Sequence, residues 1–342
     1  MSLRAPPGFT ASGAPRPTST RPAMALPEPA TAHPHPHLHA LVEAARERGP
    51  LPLAIAYPCD RNSLESARAA ARAGLAQPIL VGPRARIAAA AAEADVDLGA
   101  LRLHETADDP VAAAAAAAAL CRDGQAQALM KGSLHSDELL AAALAREAGL
   151  RGVRRASHVF VLDVPGMDRP LLISDCVVNI APTLVDKRDI AQNAIELAQA
   201  LGIARPRVAV LSAVETVNPA IPGTIDAAAL CKMADRGQIR GGVLDGPLAF
   251  DNAISAQSAR NKGIVSEVAG RPDLLLVPSL EAGNMVYKQL VYMAGAECAG
   301  LVLGLRVPVV LTSRSDSVAS RIASCALAVL MGAAAAPLEQ AA

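Results

Sequence analysis

From about residue 50 onward, ten short runs, most of them continuously apolar, alternate with longer, Ala-rich stretches. The runs at 53–57, 78–81, 126–130, 159–164, 171–174, 207–212, 242–244, 274–277, 299–303 and 307–311 are read as strands. A half-exposed strand alternates apolar with polar residues. Continuous runs predict strands buried on both faces, as in a parallel sheet covered by helices. Helices are predicted over 63–74, 109–121, 137–148, 183–201, 225–236, 282–294 and 316–330. Strand and helix in turn predict an α/β fold with crossover connections. The Ala stretch 111–120 reads as an ordinary buried helix, because Ala is the best helix former. The polar, Arg-rich stretch 149–157 is the best candidate for a crossing between two lobes, which would leave a cleft between them.

Residues 1–37 break this pattern. They hold many Pro, Ala, Ser and Thr, with no apolar periodicity and no continuous apolar segment of a signal peptide, and predict a disordered tail. Residues 1–23 are expected to be dispensable or to arise from a start assigned too early, so that a chain begun at Met24 keeps its activity and melting temperature. His33, His35, His37 and His39 alternate with Pro and Leu. They read as a solvated tail, with weak divalent-metal binding as the alternative.

At 342 residues the chain exceeds one average domain and can bury a sizeable core. Its 32 Lys+Arg balance 32 Asp+Glu, so no basic excess favours a phosphate backbone. Three Tyr, three Phe and no Trp leave few platforms for stacking bases, and no nucleic-acid partner is expected. The six cysteines are at least 27 residues apart and form no zinc-type cluster. They read as reduced thiols packed as small hydrophobes in a cytoplasmic protein. The longest apolar run, 322–337, contains Ser324 and turns to Ala and Gly. A membrane span needs about 20 strongly apolar residues, so none is expected.

Neither the glycine-rich dinucleotide fingerprint, the phosphate-binding P-loop nor the G-x-S-x-G elbow occurs. The informative places are strand ends, where ligands of open α/β sheets collect. Leu311-Thr312-Ser313-Arg314-Ser315-Asp316-Ser317 joins a strand to the last helix. Helix-start N–H groups, hydroxyls and a planar guanidinium would make an anion cradle there. The alternative is a simple helix cap built on Ser313 and Asp316. Met130-Lys131-Gly132-Ser133 offers a point charge and a close approach. Asp245-Gly246-Pro247 with Asn252, and Glu281 with Asn284, mark two further ends that ordinary turns would also explain.

Eight segments in order resemble the phosphate acetyltransferase and phosphate butyryltransferase family. They are Leu129-Met-Lys-Gly-Ser, Ser157-His-Val-Phe-Val, Ser174-Asp-Cys-Val-Val-Asn-Ile-Ala-Pro, Ala209-Val-Leu-Ser-Ala-Val-Glu, Asp226-Ala-Ala-Ala-Leu-Cys-Lys-Met-Ala-Asp-Arg-Gly, Asp245-Gly-Pro-Leu-Ala-Phe-Asp-Asn-Ala, Glu281-Ala-Gly-Asn-Met and Leu311-Thr-Ser-Arg-Ser-Asp-Ser. The resemblance spans nearly all of residues 40–332. It implies a two-lobed α/β/α fold of the isopropylmalate-dehydrogenase-like type, with the active site in the cleft and usually a homodimer. The first lobe would take 38–152 and 305–342, the second 153–304. The implied reaction is acyl-CoA plus inorganic phosphate giving acyl phosphate plus CoA, by direct attack in a ternary complex, with CoA as substrate and no metal or cofactor. Arg314 would hold phosphate, Ser313 would stabilise the oxyanion, and Asp316 would be the base. Lys131, Ser133, Asp245, Asn252, Glu281 and Asn284 would bind substrate.

Two positions depart from the family's acetyl-transferring members. Seven residues after Ser313, where they place an Asp, stands Ser320, and Leu140 stands where they often place an Arg associated with CoA. These departures point toward butyryl transfer, whereas the Leu-Met-Lys-Gly-Ser-Leu-His and Ala-Phe-Asp-Asn-Ala segments point toward acetyl, the reading adopted. A metal- and NAD-dependent decarboxylating dehydrogenase of the same architecture and a non-catalytic acyl-CoA or phosphate binder remain as alternatives from other classes.

Overall fold

The computed structural model describes residues 35–99, 101–313 and 316–335. In chain order the first half holds α1 (Pro36–Arg48), β1 (Leu51–Ala56), α2 (Arg61–Arg72), β2 (Ala76–Gly82), α3 (Arg84–Ala94), β3 (Arg102–Glu105), α4 (Pro110–Arg122), β4 (Ala128–Lys131) and α5 (Ser136–Leu144). The middle holds β5 (Ser157–Asp163), β6 (Leu171–Ser174), α6 (Leu184–Ala200), β7 (Arg207–Leu211), α7 (Pro222–Asp235), β8 (Val243–Leu248), α8 (Phe250–Ile254), α9 (Ala256–Asn261), β9 (Leu274–Leu276), α10 (Leu280–Ala294) and β10 (Glu297–Leu303). The chain then adds β11 (Val309–Val310) and α11 (Val318–Ala335). The α/β expectation holds. Beyond it the structure adds α1, α3, α8, α9 and the polar edge strand β3, whose Arg-Leu-His-Glu sequence carries no apolar run.

All the strands join one sheet in the order β3-β2-β1-β4-β11-β10-β5-β6-β9-β7-β8. Strands β3, β2, β1, β4 and β11 run parallel to one another, as do β6, β9, β7 and β8. Three antiparallel pairings, β11–β10, β10–β5 and β5–β6, join the two groups. This corrects the expectation of a parallel sheet. A continuous apolar run reports burial on two faces and says nothing of direction. The short connections 164–170 and 304–308 permit hairpins, whereas a parallel neighbour needs a crossover of a dozen residues or more. As a consequence, the carboxyl ends of β4 and β11 lie at the opposite end of the sheet from those of β6, β9, β7 and β8.

Alternation along each strand divides its side chains between two layers. Leu53 and Ile55 of β1 enter one core with α1, α2, α6, α7 and α11, and this core runs under both groups of strands. Ala54 and Ala56 face the other side, where the cover is split. There α4 and α5 pack over the first group, and α8 and α10 over the second, in two separate cores. The split leaves a groove on this face.

The chain is already helical at Pro36, which corrects a tail ending at residue 37. Asp163, at the end of β5, accepts the backbone N–H of His37 at 2.7 Å and of Leu38 at 3.1 Å, satisfying two orphan donors of the first turn. Pro36 suits the first helical position because its missing N–H would have no partner there. His35 and His37 contact the carbonyls of Asp163 and Met167. Among the described residues no group of three His, Cys, Asp or Glu could hold a metal ion. His33, the rest of the tail and the Met24 start lie outside the described residues. Among those described, no helix is long and apolar enough to cross a membrane.

Candidate active site

The carboxyl end of β4 is threaded tightly against that of β1. The Gly132 N–H donates to the Ala56 carbonyl and the Ser133 N–H to the Tyr57 carbonyl, each at 2.9 Å. A Cβ on Gly132 would lie 2.3 Å from the Ala56 oxygen, so only glycine fits. Ser133 Oγ donates to the Tyr57 carbonyl at 2.6 Å and accepts the Cys59 N–H at 2.9 Å. Its hydroxyl braces the 57–60 loop. Tyr57 itself has φ +51°, a left-handed conformation that costs a bulky residue strain and clusters at functional sites. The loop delivers Asp60, whose carboxylate caps α2 by accepting the Ser63 N–H at 2.8 Å.

Asn62 and Ser66 of α2, Lys131, Thr312, Ser313 and Arg321 surround a cavity of about 20 Å³. That is room for about one water-sized group. Lys131 is buried, and its ammonium donates to the Leu134 carbonyl at 3.3 Å. Ser313 is exposed at the cavity mouth. Its backbone N–H donates to Asp316 Oδ2 at 2.6 Å. Arg314 and Ser315 lie outside the described residues.

The helix-cap alternative falls one residue away from where the sequence suggests. Ser317, directly before α11, accepts the Ser320 N–H at 2.9 Å, while Asp316 closes the turn onto Ser313. Burial pushes the Asp316 carboxyl above its ordinary range, with the Glu297 charge adding to it. The Ser313 N–H and the charges of Arg321 and Lys131 oppose that shift without cancelling it. Glu297, at the start of β10, accepts the hydroxyls of Ser317 and Ser320, both at 2.5 Å.

Between α5 and the 175–180 loop the groove widens to about 970 Å³. Leu140, Leu144 and Val177 give it apolar walls, and Arg151, Arg154 and Arg155 supply charge. Asp175 builds the loop by accepting the N–H groups of Val177, Val178 and Asn179 at 2.9, 3.0 and 3.2 Å. Burial pushes its carboxyl up despite those bonds. Arg155 Nε donates to Asn179 Oδ1 at 2.8 Å, tying the charged wall to the loop. Another cavity, of about 760 Å³, opens around Arg48, Arg154 and Arg306 and holds none of the residues predicted from sequence.

The structure therefore brings Lys131, Ser313 and Asp316 together, with Ser133 bracing the neighbouring loop. Glu281 and Asn284 lie in the first turns of α10. Asn284 Nδ2 donates to the Cys176 carbonyl at 3.3 Å, which puts it beside the groove loop rather than at the Ser313 corner. Asp245 and Asn252 are farther off. β8 is the sheet's edge, six strand spacings from β11, or about 29 Å at ~4.8 Å each. There Asn252 is fully buried and donates to Glu215 at 3.2 Å, and Lys262 bonds Glu215 at 3.1 Å. The resemblance implies that they bind substrate, and the strand order sets them apart from the Ser313 corner. Arg321 and Glu297 were not predicted. Arg321 left one trace in the sequence, a lone cation at the head of the apolar run that forms α11.

No thiol competes as nucleophile. Burial pushes Cys59 and Cys298 up to about 11, Cys121, Cys231 and Cys325 to about 12, and Cys176 well above the usual thiol range. The thiolate is the reactive form, so all six stay inert near neutral pH.

This fold is shared with known proteins. The family model described as phosphate acetyl/butaryl transferase matches residues 105–329. A phosphate acetyltransferase of Rhizobium meliloti is 58% identical over 295 residues, covering 86% of this chain and 92% of that protein. A phosphate butyryltransferase of Clostridium beijerinckii is 41% identical over 293 residues, covering 86% and 97%. The crystal structure of a branched-chain phosphotransacylase from Enterococcus faecalis superposes with a TM-score of 0.71 at 31% identity, covering 82% of this chain and 99% of that one. The chain belongs to the phosphate acetyl/butyryl transferase family and is thus an acyltransferase.

Proposed function

We propose that the enzyme transfers an acetyl group between CoA and inorganic phosphate, in a ternary complex and without a covalent acyl-enzyme. The observation that carries this reading is the convergence of buried Lys131 with Ser313 and Asp316 at one corner. In it, phosphate is held at the Ser313–Arg314 corner. The pantetheine arm lies along Leu140, Leu144 and Val177, and the CoA phosphates face Arg151, Arg154 and Arg155. A phosphate oxygen attacks the thioester carbonyl, the Ser313 hydroxyl donates to the oxyanion, and the C–S bond breaks to release CoA thiolate. In reverse, the Asp316 carboxylate takes the CoA thiol proton, the thiolate attacks acetyl phosphate, and phosphate leaves. A carboxyl raised by burial is the better base, since it comes closer to the ordinary thiol value of about 8.5.

The test is CoA release from acetyl-, propionyl- and butyryl-CoA at fixed phosphate, with chelator present and no NAD. Acetyl-CoA is expected to turn over fastest. Fastest turnover of butyryl-CoA would reassign the acyl group, and no release from any of them would end the reading.

The same proposal takes the two groups of strands as the two lobes of an isopropylmalate-dehydrogenase-like fold. It sets the enzyme in the cytoplasm, where six free thiols stay reduced. It also makes the enzyme a homodimer through α10. Of that helix's 15 residues only Gly283 is buried, while Met285, Tyr292 and Met293 are 66%, 71% and 80% exposed. Light scattering is expected to give about twice 35.0 kDa, falling to the monomer mass in Met293→Glu. A monomeric wild type would remove the dimer.

A further inference from the structure

The turn that presents Ser313 is tied to α2 by the side chain of Arg321, which also lines the cavity. Within the turn, the Ser313 N–H bonds Asp316 Oδ2 at 2.6 Å and the Asp316 N–H bonds the Ser313 carbonyl at 3.3 Å. These bonds set the turn's shape but not its place. Arg321, at the end of the first turn of α11 and only 6% exposed, spans the gap. Its Nη2 donates to the Ser313 carbonyl at 3.1 Å, while Nη1 donates to the Asn62 carbonyl at 2.9 Å and to Ser66 Oγ at 3.1 Å. Asn62 and Ser66 belong to α2, whose own start is fixed by the Asp60 cap. One planar guanidinium thus connects α11, α2 and the turn.

We propose that Arg321 is a positioning residue, which fixes the Ser313–Asp316 turn against α2 and so sets the affinity for phosphate. The inference rests on the phosphate-acyltransferase reading and adds to it a residue that acts through the turn. Two separate nitrogens are needed to reach acceptors on opposite sides, and burial keeps water from replacing either bond. A lysine carries a single nitrogen and can serve only one side.

Steady-state kinetics of Arg321→Ala and Arg321→Lys, with phosphate and acetyl-CoA varied separately, test this. The expected result is a rise of about tenfold or more in the KM for phosphate in both variants, with the KM for acetyl-CoA within about twofold of wild type. Millimolar guanidinium should bring the phosphate KM of Arg321→Ala back toward wild type and leave the wild type unchanged. Ser66→Ala, which removes one anchor and keeps the bond to Ser313, should shift the phosphate KM in the same direction by less. It carries the test if the Arg321 variants do not fold. Equal shifts in both KM values, or a lowered melting temperature with both KM values unchanged, would show a merely structural role and overturn the proposal. If the wild type itself turns over no acyl-CoA, the reaction assignment falls separately. Phosphate binding by calorimetry then decides, with tenfold weaker binding in Arg321→Ala upholding the positioning role and equal binding refuting it.

Discussion

Asp316→Asn is expected to slow acetyl-CoA formation from acetyl phosphate and CoA by about 10²- to 10⁴-fold while leaving the fold intact, the range in which a positioned acid or base contributes. Asn retains an oxygen that can accept the Ser313 N–H, so the turn keeps its 2.6 Å bond and only the proton-accepting capacity is lost. The pH dependence carries a sign that a purely structural residue would not produce. Burial foremost raises the Asp316 carboxyl, and Lys131 and Arg321 pull it down. The wild-type rate should therefore rise with pH through that raised value. In Lys131→Met a cation that favours the carboxylate is gone, so the acidic limb of the profile should move to higher pH. Stability runs the opposite way. A carboxyl that titrates higher in the folded than in the unfolded chain stabilises the fold fully below its unfolded pKa, and loses that contribution as pH rises through the folded one. Above its folded value the charged Asp316 is a burden, so there Asp316→Asn should melt at or above the wild-type temperature. Full activity in a folded Asp316→Asn would place the base elsewhere.

Gly132→Ala should be the most damaging single change to the architecture of the corner. Its Cβ would meet the carbonyl oxygens of Ala56 and Tyr57 at 2.3 and 2.7 Å, contacts that no rotamer can relieve because both are backbone. Either β4 or the 57–60 loop has to shift, which strains the Gly132–Ala56 and Ser133–Tyr57 bonds and the brace from Ser133 Oγ. Overpacking of this kind costs about 1–3 kcal/mol, and each lost hydrogen bond about 1 kcal/mol more. Urea unfolding should show a loss of about 3 kcal/mol. Activity should fall further than the unfolded fraction explains, because Lys131 precedes the displaced residue. An unchanged urea midpoint with normal turnover would mean that the strand end tolerates a side chain.

The corner was partly legible before any fold was known. Lys131, Ser313 and Asp316 stand at the ends of apolar runs, where polar residues with small neighbours are conspicuous. Arg321 and Glu297 were not, since each serves the site from inside another element: Arg321 from within α11, Glu297 from the start of β10. Asp245 and Asn252 looked equivalent to Lys131 in sequence, both following apolar runs. They lie across the sheet because the chain turns back on itself between β5 and β6. The first helix was hidden for a related reason, as its partner Asp163 is more than 120 residues away.

The order of strands and helices, the presence of a two-faced sheet and the polar strand ends were determined by the sequence itself. Burial on both faces leaves a continuous apolar run, and helix formation leaves Ala-rich spacing, so both can be read within a dozen residues. Strand direction, the split cover that opens the groove, and the grip of Arg321 on the Ser313 turn were decided by the tertiary structure alone. Each depends on which distant segments pair, as when Arg321 meets Asn62 across 259 positions, and neither segment by itself names the other.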